Sequence, residues 1–141
     1  MVEKKKLVVS IFGGLLAAFV WYMVIGLLFS SSDIGWLFFV LFIGFTYFLY
    51  KRTTRPRHAA GWSSVILALG SFAFPVTVLI WGANQVADAG NQGAAYQLGA
   101  GIGATIVSGI GFVFGLFFGV AFAVVAYFLL KTEKSKEEKK K

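Results

Sequence analysis

Side chains that could do chemistry are few in this sequence and lie far apart. Between residues 7 and 50 the only ionisable group other than tyrosines is Asp33, and between residues 59 and 130 it is Asp88. The chain has one histidine, His58, and no cysteine. These side chains cannot form paired carboxylates, a Ser/His/Asp set, a thiolate metal site or a bis-histidine haem site. We therefore expect no catalytic residue, no metal site and no cofactor, and we predict that the protein is not an enzyme.

Glycine is concentrated in one stretch, GAGIGATIVSGIGFVFGLFFG, which covers residues 99–119. Its first residues have the spacing of a dinucleotide-binding loop, but such a loop needs a preceding strand and a later acidic residue. No acid lies between Asp88 and Glu133. Part of the stretch also resembles the glycine-repeat helix of the rotor-ring subunit of rotary ATPases. That family carries its ion on a carboxylate of the partner helix, and no apolar segment here contains one, so its function is not carried over.

The composition indicates a membrane protein. The chain is 58% hydrophobic and 13% charged, with a mean hydropathy of +0.80, whereas soluble domains are about 25% charged. A membrane helix needs about 20 apolar residues. Four such segments are present: Leu7–Phe29, Ile34–Tyr50, Trp62–Trp81 and Leu98–Leu130. We predict an all-α, polytopic membrane protein whose residues 1–141 form one domain, a four-transmembrane-helix bundle with a charged tail at residues 131–141.

The positive charges predict the orientation of these segments. All 13 Lys and Arg residues fall within residues 4–6, 51–57 and 131–141, and the connections at residues 30–33 and 82–97 have none. By the positive-inside rule, both termini of this multi-pass protein of the cell membrane are cytoplasmic. The middle segment is a cytoplasmic basic connector, consisting of Lys51, Arg52, Arg55 and Arg57. Because the charges flank apolar segments, we expect them to meet anionic lipids at the cytoplasmic face, and not nucleic acid.

The first segment also has the basic start of a signal peptide. Its apolar run, from Leu7 to Phe29, is longer than that of a signal peptide, and no A-x-A cleavage site follows it. We therefore expect it to be retained as a membrane helix. Trp21 and Tyr22 lie deep within it, where their N–H and O–H groups need partners or contact lipid. The alternative is that this pair contacts a ligand.

Small residues predict how the helices pack. In lipid they let helix backbones approach closely, and residues four apart share a helix face. The predicted packing residues are Gly99, Gly103, Gly111, Gly115 and Gly119 in the fourth helix and Gly13 and Ala17 in the first. We expect the glycine-rich fourth helix to be packed centrally. The second, with five phenylalanines and few small residues, is expected outermost.

The outer connection between the third and fourth segments is the richest in polar side chains. Its candidate residues for a partner surface or pore mouth are Asn84, Gln85, Asp88, Asn91 and Gln92. The sequence favours a non-catalytic accessory or structural subunit of a membrane assembly, with other membrane protein chains or itself as partner. A small oligomeric channel or transporter lined by the glycine-rich helix is the alternative. A third reading is an enzyme subunit whose chemistry belongs to another chain.

Overall fold

The chain forms four helices joined by short connections. The computed structural model describes residues 2–29, 35–90 and 93–138, and their side chains at 3–29, 35–90 and 93–131. The helices are α1 (Val2–Phe29), α2 (Gly35–Arg52), α3 (Pro56–Ala89) and α4 (Ala94–Glu138). Each contains one of the apolar segments, except that Ile34 lies outside the described residues. Helices α1, α3 and α4 are long and apolar enough to cross a membrane; α2 has 18 residues.

Local signals in the sequence account for several helix ends. Helix α3 begins with Pro56 after an extended Arg55, because proline has no N–H to lose and its fixed φ suits the first helical position. Helix α2 ends with Lys51 and Arg52, whose charges favour the negative end of the helix dipole. Gly93, just before α4, has a φ of +101°, a conformation that residues with a Cβ rarely adopt.

Helices α1 and α2 are antiparallel. The ammonium of Lys6 lies 4.5 Å from the centre of the Tyr50 ring, and near the other end the rings of Tyr22 and Phe38 are 5.8 Å apart, edge to face. Between them, a Cβ on Gly14 would overlap the side chain of Thr46. The two helices thus pack closely along most of the length of α2.

Helices α1 and α3 are parallel and also meet at small residues. A Cβ on Gly13 would lie 2.7 Å from Cβ of Ser63, and one on Gly70 would lie 2.7 Å from a methyl group of Val20. The indole N–H of Trp21 donates a hydrogen bond to the carbonyl oxygen of Ile66 at 3.4 Å. Trp21 therefore has a partner on a neighbouring helix, as buried indoles require.

Helices α3 and α4 are antiparallel and meet along three buried glycines of α4. A Cβ on Gly111 would lie 3.3 Å from Val78, and one on Gly119 would lie 2.8 Å from the Phe72 ring. Between them, a Cβ on Gly115 would come within 2.5 Å of the Pro75 ring. We call this contact line the α3–α4 seam.

The order of packing corrects the prediction that the fourth helix is central. Helix α3 packs on all three other helices, whereas, among the described residues, only α3 has Cα atoms within 8 Å of those of α4. The helices thus lie in the order α2, α1, α3, α4, so α2 lies at one edge, but α4 lies at the other edge and has fewer neighbours than α2. A row of glycines requires only one neighbouring helix to approach closely. The contact with α3 alone therefore explains Gly111, Gly115 and Gly119.

Candidate functional site

Among the described residues, the C-terminal end of α3 and the N-terminal end of α4 extend well beyond the adjoining ends of α1 and α2. Val20 and Trp21 of α1 lie level with Ile66 and Gly70 of α3. From there α1 continues only to Phe29, whereas α3 continues to Ala89. At ~1.5 Å per residue, α3 reaches roughly 15 to 20 Å further. We call residues 79–89 of α3 and 94–108 of α4 the projecting hairpin.

The connection between the third and fourth apolar segments is mostly helix, as α3 continues to Ala89 and α4 begins at Ala94. Asn84, Gln85 and Asp88 lie on the last turns of α3 and are exposed. The candidate residues Asn91 and Gln92 lie outside the described residues. The hairpin's only charged residue is Asp88. A helical hairpin with a single charge offers a surface for apolar and amide contacts, and little electrostatic attraction.

Large apolar side chains of α4 are exposed on this hairpin. Leu98 is 68% exposed, Ile102 62% and Ile106 57%, and the Tyr96 ring is 57% exposed. Contiguous exposed apolar surface of this kind marks contact with lipid or with another protein. In the projecting hairpin, it lies beyond the level at which α1 and α2 end.

The glycine row divides between the seam and the hairpin. Gly99 and Gly103 have no atom of another helix within 4 Å of where a Cβ would lie, so they do not pack within the described part of the chain. The reason is geometric: each residue turns an α-helix by about 100°, so Gly103 and Gly99 lie about 120° and 160° away from Gly115 around α4. The seam instead continues through Ala104 and Ser108, which contact Gly82 of α3.

Two grooves flank the hairpin. One, of about 650 Å³, is lined on α4 by Gly101, Thr105, Ser108 and Gly109. The other, of about 520 Å³, lies on the opposite side of the seam and is lined by residues including Gly99, Gly103 and Trp81. Their small residues would let another helix backbone approach closely. Spacing alone did not predict these grooves, because they depend on where α3 contacts α4.

The basic residues of the described part of the chain lie at the opposite end of the molecule. The connector residues Lys51, Arg52, Arg55 and Arg57 are all exposed. Lysine–tyrosine pairs occur here on three helices: the Lys6 ammonium lies over Tyr50, that of Lys51 lies 5.4 Å from the Tyr47 ring centre, and that of Lys131 lies 5.1 Å from the Tyr127 ring centre.

Other candidate residues occupy internal contacts. Ala17 is fully buried, and Gly13 lies against Ser63. Near the basic end, the Trp62 indole donates a hydrogen bond to Nε2 of His58 at 3.2 Å. Among the side chains at residues 3–29, 35–90 and 93–131, no three metal-ligating groups come together. No known protein family, curated protein or solved structure matches this chain.

Proposed function

We propose that this protein is a four-span integral membrane protein without catalytic activity that acts as a subunit of a larger membrane assembly, and that it docks through the projecting hairpin. The observation that carries the proposal is the exposure of α4. On the hairpin, Leu98 is 68% exposed, Ile102 62% and Ile106 57%. Exposed glycines on the same helix supply a close-approach surface, and a second chain covering them is the simplest use of it.

The four-span topology is supported by the pairing of α1 and α2. Helix α2 runs antiparallel to α1 from Phe38 to Tyr50, and its 18 residues give about 27 Å of helix. That length is close to the ~30 Å of a hydrocarbon core. Lys6, Lys51 and Lys131 then lie on one side of the membrane, which is the cytoplasmic side by the positive-inside rule. Both termini are cytoplasmic in this arrangement.

The proposal is tested by extracting the tagged full-length protein in mild detergent and measuring the size and composition of the complex. We expect a complex larger than one chain, and Gly103→Leu should release the chain from it because the added side chain occupies the docking surface. Gly44→Leu is the matched control, since Gly44 is also an exposed helix glycine with nothing within 4 Å but lies on α2. A monomer from the unsubstituted protein, or equal effects of both changes, would contradict docking through the hairpin.

A small oligomeric channel is the second candidate, favoured by the hydroxyls that line the larger groove. Thr105 and Ser108 lie there beside glycines, although the Thr105 hydroxyl donates to the carbonyl oxygen of Gly101 at 2.8 Å. A channel requires the purified complex to be a symmetric homo-oligomer. The purified complex must also conduct ions into lipid vesicles, and the substitution Thr105→Val must change the rate of that flux. Partner chains of different sequence in the complex favour the assembly subunit instead.

A further inference from the structure

Helices α2 and α3 face each other across an open groove. It has a volume of about 390 Å³, and its lining includes Val40, Gly44 and Phe48 of α2 and Ile66 of α3. At the end nearest the basic connector, the Trp62 ring lies edge to face against the Phe48 ring, with centroids 6.3 Å apart. Trp62 lies four residues before Ile66 in α3, so this ring contact joins the two helices at the connector end of the groove.

A hydrogen bond within α3 orients the Trp62 ring. The indole N–H donates to Nε2 of His58, one turn earlier, at 3.2 Å. Because an indole nitrogen is a donor only, the imidazole nitrogen must accept with its lone pair. The bond therefore exists only while Nε2 of His58 carries no proton. His58 is the single histidine of the chain, and histidine is the side chain whose charge changes between about pH 5 and pH 8.

The charges at this end of the molecule are mostly positive. The described charged side chains here are those of Arg55, Arg57, Lys51, Arg52 and Lys131, together with Glu3, Lys4, Lys5 and Lys6 of α1. The first turn of α3 contains no acidic residue, and the start of a helix is the positive end of its dipole. A proton on Nε2 of His58 thus adds a charge beside like charges and also removes the bond to Trp62. Both effects favour a movement of the Trp62 ring away from His58.

We propose that His58 and Trp62 form a pH-sensitive switch beside the α2–α3 connector. While His58 is neutral, the indole bond keeps the Trp62 ring against Phe48 and so holds the start of α3 to the end of α2. Protonation of Nε2 breaks the bond, releases the ring and opens the connector end of the groove. The closed form is therefore stabilised at higher pH and lost as the pH falls. In the topology proposed above, the switch responds to cytoplasmic pH, but it does not depend on docking through the hairpin.

The experiment follows the indole N–H groups of the full-length protein by NMR in detergent micelles. Each tryptophan gives one indole peak, which a Trp→Phe substitution assigns. During a titration from about pH 8 to about pH 5, we expect the Trp62 peak to move from a hydrogen-bonded to an unbonded position. The nuclear Overhauser contact between the Trp62 and Phe48 rings should be lost over the same range. The Trp21 peak is the internal control, because its N–H donates to the Ile66 carbonyl oxygen, which does not titrate.

Paired variants separate the hydrogen bond from the ring contact. His58→Gln supplies an amide oxygen that can accept the indole N–H but does not titrate, so the Trp62 peak should stay at the bonded position throughout. His58→Arg places a permanent charge there and has no acceptor, so the peak should be at the unbonded position throughout. Phe48→Leu removes the ring contact on α2 and leaves the bond within α3, so the Trp62 peak should still move with pH.

Three results would overturn the proposal. A Trp62 peak that does not move during the titration would show that protonation leaves the bond intact. An equal movement of this peak in His58→Gln would assign the pH response to another group. A ring contact with Phe48 that persists at low pH would show that the bond does not control how α2 and α3 meet. Failure of the assembly proposal changes none of these measurements, because they are made on the single chain.

Discussion

The ring of Pro75 lies directly against the backbone of Gly115, at the centre of the α3–α4 seam. A Cβ on Gly115 would come within 2.5 Å of the ring and 2.8 Å of the Ser71 carbonyl oxygen. Proline has no N–H, so in a regular helix this is the carbonyl that Pro75 leaves without its bond. The Cα–H bond of Gly115 that a Cβ would replace points toward that oxygen, a direction that suits a weak C–H···O contact.

Gly115→Leu should destabilise the isolated chain. The added side chain cannot fit between the helices, and overpacking costs typically about 1–3 kcal/mol. Thermal unfolding in detergent measures the effect. Gly103→Leu on the same helix is the control and should leave the melting temperature of the isolated chain nearly unchanged, because nothing lies within 4 Å of the position of its Cβ. An equal drop in melting temperature for Gly115→Leu and Gly103→Leu would show that the α3–α4 seam does not hold α4 in place.

Four membrane spans require that the α2–α3 connector and both termini are on the same side. A reporter enzyme active only outside the cytoplasm should be silent when it is fused after Lys141 or inserted beside Thr54, and active when it is inserted beside Gly90. We expect this pattern because segments rich in lysine and arginine, such as the α2–α3 connector and the C-terminal tail, are retained on the cytoplasmic side. Activity at Thr54 or after Lys141 would disprove this topology.

Among the side chains that the structure describes, two buried hydroxyls have no hydrogen-bond partner, those of Ser10 and Thr46. Thr46→Val should leave the free energy of unfolding unchanged or raise it, because no bond is lost and an unpaired polar group is removed. Thr77→Val is the matched control. The Thr77 hydroxyl donates to the Ala73 carbonyl oxygen at 3.0 Å, so its loss should cost about 0.5–1.5 kcal/mol. Chemical unfolding in mixed micelles measures the free energy of unfolding of both variants. A greater loss of stability in Thr46→Val than in Thr77→Val would show that the Thr46 hydroxyl has a hydrogen-bond partner.

Trp21 joins α1 to α3, and we expect its role to be structural. Trp21→Phe removes the hydrogen bond to the Ile66 carbonyl oxygen and should cost about 0.6 kcal/mol, the average for such bonds between membrane helices. The oligomeric state in mild detergent should not change. Loss of the assembly without loss of thermal stability would favour the alternative, a residue that contacts a ligand.

The sequence predicts the number of helices well because hydropathy reports directly on which residues avoid water. It predicts their ends less well. The third apolar segment ends at Trp81 by composition, yet α3 continues to Ala89, because Asn84, Gln85 and Asp88 are compatible with a helix once the chain leaves an apolar environment. The projecting hairpin follows from that difference.

The position of each helix in the bundle was harder to predict. A row of small residues shows that some neighbour approaches closely, but not which neighbour or how many. Gly13 lies against Ser63 of α3 and Leu49 of α2, and Gly14 lies against Thr46 of α2, so a single glycine can face two helices. The central helix, α3, is marked instead by buried serines and alanines such as Ser64 and Ala68, which are less conspicuous than the glycines of α4.

The packing order of the four helices has a consequence for biosynthesis. Because the helices lie in the order α2, α1, α3, α4, each helix after α1 finds a packing partner already made when it leaves the ribosome. Helix α2 folds back on α1, α3 then packs on the remaining face of α1, and α4 packs on α3. A closed bundle would leave one face of α1 uncovered until the last helix was synthesised. Here the nascent chain can mature step by step, and an unfinished chain lacks only its newest layer.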